Sequence, residues 1–212
     1  VLTTFEEESN EKLGRIDNEI NGIGHIPRSE TSRILESIED PEDLDNSIIK
    51  GRGGVGKSGI LKRVCEECDH EILFIDASAH TRITSGSDIL DDLEPTLERC
   101  IQQVSANRTL VVVFDQLDDT TRESGEVYSE IIGSVTQLSG VGVIFACRTY
   151  ELDNYDEFQN LTVSGHFDNE IEVNTLSETQ AEDHLEELGI TSPTQNLIEL
   201  CEEIEYLDVI GT

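Results

Sequence analysis

The hydrophobic positions of the chain follow two patterns that alternate along its first 173 residues. Short runs that are continuously apolar and rich in β-branched residues are typical of strands buried on both faces of a parallel sheet. Longer segments with apolar residues three or four positions apart are typical of amphipathic helices. The runs predict strands over 47–50, 71–77, 109–114, 141–147 and 170–173. The periodic segments predict helices over 5–21, 29–38, 88–106 and 123–138, and a further helix that starts at 59. Ser29 or Thr31 is the expected cap of the helix over 29–38.

Strands that alternate with helices predict an α/β fold with a doubly wound, mostly parallel five-stranded sheet. From Ser177 onward the pattern becomes helical, and Ser177 with Gln180 has the spacing of a capping box. This change of pattern predicts a C-terminal helical lobe. We therefore expect three regions: a linker or preceding-domain helix over 1–24, a core over 25–174, and the start of the helical lobe over 175–212.

The stretch GRGGVGKS, residues 51–58, lies between the first predicted strand and the helix after it. Two glycines separated by four positions and followed by Lys and Ser form the phosphate-binding loop pattern. The flanking strand and helix matter, because a helix N-terminus presents free amide hydrogens and a partial positive charge to an anion. The alternative is a glycine-rich connection with no ligand, which does not account for these flanks. The loop therefore predicts binding of a nucleoside triphosphate.

The residues of this loop have distinct expected roles. The glycines let the backbone wrap closely around phosphate groups. Lys57 is expected to reach the β- and γ-phosphates, and the Ser58 hydroxyl is expected to bind Mg²⁺. The residues predicted to contact the nucleotide in this loop are Gly51, Arg52, Gly53, Gly54, Val55, Gly56, Lys57, Ser58 and Gly59.

Acidic residues follow the central apolar run in LVVVFDQLDD, residues 110–119. Ligands of open α/β sheets bind at the carboxyl ends of the strands, so Asp115 is expected to hold Mg²⁺ opposite the phosphate loop. Either Asp118 or Asp119 is close enough in sequence to orient or deprotonate the attacking water. The alternative is an ordinary acidic exit from a strand, in a chain that is rich in acid.

Arg148 directly follows the apolar run over 141–147. An arginine at the carboxyl end of a strand points towards the ligand crevice, where it is able to sense the γ-phosphate. A surface arginine paired with the abundant acidic residues would have the same sequence signature. We assign Arg148 to the catalytic set with Asp118 and Asp119.

The net charge of the 212-residue chain is −32, from 46 acidic and 14 basic residues spread along its length. Dispersed acid with little lysine resembles the proteins of extreme halophiles, and we expect such a source. An acidic disordered chain is the alternative, but 36% hydrophobic residues in regular runs argue against it. The charge makes a nucleic-acid surface on this segment unexpected.

Cysteine spacing, the length of apolar runs and the methionine content give further predictions about metal binding, cellular location and partners. Cys65 and Cys68 form one CxxC pair with His70 nearby, and no second pair at zinc-site spacing follows, so we expect helix packing rather than a metal. The absence of an 18-residue apolar run and of a signal peptide leads us to expect a cytoplasmic segment and no membrane partner. The sequence holds no methionine, which suggests a fragment of a longer protein whose other domains, or further copies, are its partners.

Together these motifs resemble the STAND class of signalling ATPases with numerous domains, which includes the NACHT and apoptotic ATPase families. GGVGKS, DQLDD and FACRTYEL match that class in order and spacing, over roughly residues 25–190. The strand–helix unit over 71–106 separates the loop from the acidic strand, which is similar to the additional-strand class of P-loop ATPases. The resemblance implies that Arg28, in the stretch HIPR, lies near the nucleotide base. It also implies slow hydrolysis, because Asp119 stands in the usual glutamate place.

The resemblance implies a switch module that binds ATP and Mg²⁺ and acts in signalling or antiviral defence. An AAA+ ATPase of the replication-initiation type acting on DNA is an alternative, and so is a nucleotide-binding scaffold that does not hydrolyse. A small-molecule kinase is excluded because it needs an arginine-rich lid, and neither Lys nor Arg follows Arg148. ATP is favoured over GTP, since the sequence has no NKxD-like tetrapeptide.

Overall fold

The computed structural model describes residues 2–16, 26–89 and 96–211 of the chain. Each of the five predicted strands is present, and every strand end lies within one residue of its predicted position. The strands are β1 (Ser47–Gly51), β2 (Glu71–Asp76), β3 (Leu110–Asp115), β4 (Val141–Arg148) and β5 (Asn169–Val173). The helices are α1 (Leu2–Leu13), α2 (Ser29–Ser37), α3 (Lys57–Glu67), α4 (Leu97–Ser105), α5 (Arg122–Val135), α6 (Thr149–Asn154), α7 (Asp156–Val163), α8 (Glu178–Glu187), α9 (Gln195–Cys201) and α10 (Ile204–Gly211).

The five strands form one parallel sheet in the order β2-β3-β4-β1-β5. Strand β4 therefore lies between β1, which leads into the glycine-rich loop, and β3, which ends in the acidic segment. The register pairs Gly51 with Arg148 and Asp76 with Asp115, so Gly51, Asp115 and Arg148 all lie at the carboxyl end of the sheet. This topology confirms the predicted α/β fold with a parallel five-stranded sheet. The strand between β1 and β3 is β4, whereas the strand predicted over 71–77 is the edge strand β2.

The sheet is covered on both faces because the side chains of each buried strand alternate between them. On β3, Val112 and Phe114 pack in one hydrophobic cluster with residues of α4 and α5. Val111 and Val113 pack in a second cluster with residues of α2 and α3. The continuous apolar run over 109–114 is thus the sequence signature of a strand with no solvent-facing side.

Helix α1 packs against the edge strand β2. Phe5 is fully buried in the same hydrophobic cluster as Phe114. The Ser9 hydroxyl donates to the carbonyl of Ile72 at 3.2 Å and accepts from the amide of Phe74 at 2.9 Å. These bonds satisfy backbone groups along a strand edge that would otherwise be open to pairing with another chain. The helix that the sequence places in a linker or a preceding domain therefore contributes to the core of the sheet.

Two helix predictions differ from the structure at their ends. Helix α1 ends at Leu13, well before the predicted end at residue 21, although 17–25 lie outside the described residues. The predicted helix over 88–106 is also too long at its start, although 90–95 lie outside the described residues. Gly86–Asp88 is a short 3₁₀ turn, and α4 begins only after Thr96, whose ψ of 157° is extended. Residue 95 is proline, which has no amide hydrogen to donate and disfavours helical backbone before it.

The predicted cap of α2 is wrong. Arg28 occupies the N-cap position with extended backbone, and no side chain caps the helix. Ser29 and Thr31 both lie inside the first turn. Helices α6 and α7 were not predicted, because they have six and eight residues and carry too few apolar positions to show a helical period.

The C-terminal lobe has a small hydrophobic core of its own. The predicted capping box is confirmed, since the Ser177 hydroxyl accepts from the amide of Gln180 and the Gln180 side chain accepts from the amide of Ser177. The amide of Leu176 donates to the carbonyl of Glu202 at 2.8 Å, so the segment before α8 is bonded to the residue that follows α9. The buried residues of this core are Ile26, Leu176, Ala181, Leu185, Ile198, Cys201 and Leu207. Within the described ranges, every helix is too short or too polar to cross a lipid bilayer.

Candidate functional site

The glycine-rich loop connects the end of β1 to the start of α3. Gly54 and Gly56 have φ angles of +77° and +91°, in the left-handed region that side chains disfavour. Gly51 is needed for a different reason, because a Cβ at this position would lie 2.5 Å from the carbonyl oxygen of Val173 on β5. Gly54 and Gly56 are therefore needed for the turn, and Gly51 is needed for close packing against β5.

Lys57, the first residue of α3, folds back over the loop. Its Nζ donates to the carbonyl oxygens of Gly51 at 3.1 Å and Arg52 at 3.0 Å. Burial lowers the pKa of Lys57, while the carboxylates of Asp118 and Asp115 oppose this shift. The ammonium group is thus held at the mouth of the loop, close to the acidic residues that follow β3.

Asp115 is the last residue of β3 and is 1% exposed. Its Oδ1 accepts from the amide of Gln116 at 2.9 Å, and its Oδ2 has no hydrogen-bond partner within the described part of the chain. Burial raises the pKa of Asp115 to about 6, against the hydrogen bonds of Ser58 and Gln116, and the carboxyl groups of Asp76 and Asp118 raise it further. An ionised Asp115 is therefore poorly solvated, and the nearby Lys57 ammonium compensates its charge only in part.

This arrangement fits a hard divalent cation. A buried carboxylate oxygen without a partner and the Ser58 hydroxyl are the oxygen ligands that Mg²⁺ prefers. Among the described residues no three His, Cys, Asp or Glu side chains cluster as metal ligands. A cation next to Asp115 would therefore complete its shell with water and phosphate oxygens, as is usual for Mg²⁺ bound with a nucleotide.

The structure brings the three predicted catalytic residues together. Arg148 Nε lies 2.7 Å from Oδ2 of Asp118, and Arg148 Nη2 lies 3.4 Å from Oδ1 of Asp119. The Asp118 side chain is 7% exposed, whereas those of Asp119 and Arg148 are each 44% exposed. A Cβ at Gly53 would lie 3.6 Å from Arg148 Nε, so the guanidinium group stands beside the phosphate loop.

Arg28 lies outside this cluster. Its buried guanidinium donates from Nη2 to the carbonyl of Asn174 at 2.6 Å and to Glu30 at 3.2 Å, while Nη1 has no hydrogen-bond partner among the described residues. Asn174 follows Val173, the β5 residue that pairs with Gly51. The structure shows no hydrogen bond between Arg28 and the loop, and the predicted contact with the base stays a prediction. His25, from the same motif, lies outside the described residues.

Sequence reasoning missed three residues that contact the loop from the C-terminal lobe. Glu203 Oε1 lies 3.5 Å from Arg52 Nη2. A Cβ at Gly54 would lie 2.7 Å from the carboxyl group of Glu205, and one at Gly56 would lie 2.9 Å from Cδ1 of Ile204. No motif marks these positions, because acidic residues are common throughout the chain.

Cys65 and Cys68 lie on and just after α3. Both thiols are partly buried and pack against the hydrophobic cluster around α2 and α3. Burial raises the pKa of both thiols, so they are poor nucleophiles at neutral pH. His70 is engaged elsewhere, with Nε2 2.8 Å from the carbonyl oxygen of Ile38. These contacts agree with the packing role predicted for the pair.

Comparison with known proteins gives two findings that agree with this geometry. Residues 47–175, from β1 to the entry of the lobe, match the ATPase family associated with various cellular activities, abbreviated AAA. The chain is also 27% identical to ORC1-type DNA replication protein 9 of Halobacterium salinarum, in a match that covers 49% of this chain and 37% of that protein. The chain thus spans little more than a third of the relative's length. Since the family match covers most of the chain and includes the loop, the acidic strand and the strand that ends in Arg148, the chain belongs to the AAA family.

Proposed function

We propose that the chain is an ATP-binding and ATP-hydrolysing switch module of a larger protein, in which Mg-ATP drives a change of conformation or assembly. The observation that supports it is the meeting of three features at the carboxyl end of the sheet. They are the phosphate loop, the Asp115 carboxylate, whose Oδ2 has no hydrogen-bond partner among the described residues, and the Arg148–Asp118 ion pair. Each group matches one requirement of phosphoryl transfer, namely phosphate binding, a metal ligand and charge next to the reacting phosphate.

In the proposed reaction the loop amides and Lys57 hold the phosphates, and Lys57 exchanges its two carbonyl partners for phosphate oxygens. Ser58 and Asp115 would hold Mg²⁺, which neutralises charge on the β- and γ-phosphate oxygens when bound. Asp118 or Asp119 orients the attacking water and accepts its proton. The more exposed Asp119 is reached directly by solvent, whereas the buried Asp118 holds Arg148 in place.

The proposed switch element is Arg148. It pairs with Asp118 and Asp119 in this structure and would pair with the γ-phosphate when ATP is bound. After hydrolysis the γ-phosphate leaves and the arginine returns to the acids. Such an exchange gives the ATP and ADP states different contacts, which a ligand-driven switch requires.

Arg148→Ala is expected to reduce single-turnover ATP hydrolysis by about 100-fold, as removal of one transition-state donor does in other enzymes. ATP affinity is expected to change by less than about tenfold, because the loop still holds the phosphates. The measurement is the rate of phosphate release under single-turnover conditions in concentrated KCl. Arg108→Ala is the matched control, since Arg108 pairs with Glu71 at the amino end of the sheet, opposite the site. Unchanged hydrolysis in Arg148→Ala would remove the arginine from the mechanism.

Two biological roles fit such a switch. Signalling or antiviral defence is supported by the order of the GGVGKS, DQLDD and FACRTYEL motifs, which resembles the STAND class. Replication initiation on DNA is supported by the similarity to an ORC1-type DNA replication protein. In both roles the sensor, effector or DNA-binding surface lies in other domains or in further copies of the chain. We also propose that the protein works in the cytoplasm of a halophile, for which the charge of −32 is suited.

The proposed function is tested by single-turnover hydrolysis of ATP with and without Mg²⁺, together with hydrogen exchange in the ATP- and ADP-bound states. Metal-dependent hydrolysis, with different protection of the Arg148 segment in the two states, is the expected result. Binding without hydrolysis in the full-length protein would favour the scaffold alternative. Fluorescence anisotropy of the full-length protein with duplex DNA then separates the two roles, because only the replication role expects ATP-dependent DNA binding.

A further inference from the structure

We infer that the first residues of helix α10, together with the residue before it, form an autoinhibitory contact that opposes entry of the nucleotide phosphates into the loop. The contact consists of Glu203, Ile204 and Glu205, and we refer to it as the acidic lid contact. The inference rests on the proposed function, because it regulates the same phosphate loop.

The first step is the position of the contact. The Glu205 carboxyl group lies so close to Gly54 that a single added Cβ would be 2.7 Å away, and Ile204 lies equally close to Gly56. Both glycines have positive φ angles and form the turn of the loop. The lid contact therefore covers the middle of the loop.

The second step is charge. Within the loop, the cations are Arg52 and Lys57. Arg52 lies 3.5 Å from Glu203, and Lys57 donates to two backbone carbonyls, so both are engaged within the chain. The sequence after Arg148 contains neither Lys nor Arg. The lobe thus places the carboxylates of Glu203 and Glu205 next to the loop. A bound triphosphate would add negative charge there, and the like charges would repel.

The third step is that the lid contact is able to open without disruption of the sheet. The lobe has its own hydrophobic core, which is separate from the two clusters on the faces of the sheet. Movement of the lobe as a unit, including α10, would break the Arg52–Glu203 pair and the contact of Ile204 with Gly56, and it would leave strands β1, β3 and β4 intact. Opening therefore costs little compared with unfolding.

Autoinhibition follows from these steps. If phosphates bind only when the lid contact is open, the observed ATP affinity is the intrinsic affinity multiplied by the open fraction. A partner that holds the lobe away from the loop would raise ATP affinity, and by linkage ATP would promote binding of that partner. The contact thus connects nucleotide binding to any partner that binds the lobe.

The test compares Glu205→Gln and Glu203→Gln with wild type in titrations with ATP and with AMP. Each substitution is expected to tighten ATP binding by about fivefold, the size of an exposed charge pair. AMP binding is expected to change much less, because AMP lacks the β- and γ-phosphates. Glu186→Gln is the matched control, since it removes the same charge from an exposed position on α8.

The outcomes separate the inference from the proposed function. Tighter ATP binding in the two lid variants but not in Glu186→Gln supports autoinhibition. Equal ATP affinity in wild type and both lid variants overturns it and leaves the ATPase assignment intact. Equal gains for ATP and AMP also overturn it, because they indicate a general change of the site. Absence of ATP binding in wild type and in both lid variants at millimolar ATP overturns both.

Discussion

Lys57→Ala is expected to weaken ATP binding by about 100-fold and to reduce hydrolysis further, since one charge-assisted hydrogen bond contributes about 1.5–3 kcal/mol. The ammonium group already stands at the mouth of the loop, bonded to the carbonyls of Gly51 and Arg52. Lys57 is already partly desolvated, because burial lowers its pKa. The ammonium group therefore loses little further hydration when it moves to phosphate oxygens. Calorimetric titration of the variant with Mg-ATP gives the affinity directly.

Lys62→Ala is the matched control for Lys57→Ala. Lys62 lies on the same helix, α3, and its Nζ donates to the carbonyl of Ile16 at 2.6 Å, away from the loop. This variant is expected to bind ATP as wild type does. If Lys57→Ala bound ATP with wild-type affinity while its circular dichroism spectrum remained native, the assignment of the phosphate site would be wrong.

Asp115→Asn is expected to reduce Mg²⁺-dependent hydrolysis by about 1000-fold, because metal stabilisation of the transition state is worth several kcal/mol. The amide replaces the carboxylate whose Oδ2 has no partner in the described protein, and it is a weaker ligand for a hard cation. Single-turnover hydrolysis across a Mg²⁺ titration checks this result. A variant that hydrolyses at the wild-type rate at every Mg²⁺ concentration would show that Asp115 is not a metal ligand.

The same substitution is expected to have the opposite effect on the stability of the metal-free protein. The folded-state pKa of Asp115 is about 6, against an ordinary value of 3.8. Because the folded pKa is raised, the contribution of Asp115 to stability is fully present below pH 3.8 and is lost as the pH rises to about 6. The loss reaches about 3 kcal/mol, at about 1.4 kcal/mol per pKa unit.

Asp115→Asn is therefore expected to unfold at a higher Tm than wild type at pH 8 without Mg²⁺, with a smaller difference at pH 5. Added Mg-ATP is expected to stabilise wild type more than the variant, which lacks one ligand of the metal. Asp183→Asn removes the same charge from an exposed position on α8 and is expected to leave the pH dependence unchanged. A variant less stable than wild type at pH 8 would contradict the argument from burial.

The sequence predicted the sheet closely because its signals are local. The run over 109–114 is apolar at consecutive positions, and this pattern has few explanations other than a strand buried on both faces. The phosphate loop was predicted for the same reason, since its glycines, Lys57 and Ser58 are contiguous. The meeting of Arg148 with Asp118 and Asp119 followed from a single rule, that parallel strands end at the same edge of their sheet.

The missed features depend on contacts between distant residues or on weak local preferences. The lid contact joins residues 52–56 to residues 203–205, and no local pattern distinguishes Glu203 and Glu205 from the many other acidic residues of the chain. Helices α6 and α7 are too short to show a helical period. The predicted start of α4 is wrong because the apolar spacing on both sides of Pro95 indicates one continuous helix, although a proline disfavours helical backbone before it. The N-cap of α2 was misassigned because Ser29 and Thr31 are residue types that usually cap helices, whereas the N-cap residue, Arg28, is not.

The position of β4 in the sheet has a consequence for the tolerance of this site to change. The loop strand β1 and the acidic strand β3 are not neighbours, and the distance between them is two strand spacings, or about 10 Å. Backbone hydrogen bonds fix that width, and the surface loops do not contribute to it. Insertions in the loops around the site would therefore leave the separation of Gly51 and Asp115 unchanged, whereas a register slip of β4 would move Arg148 relative to both.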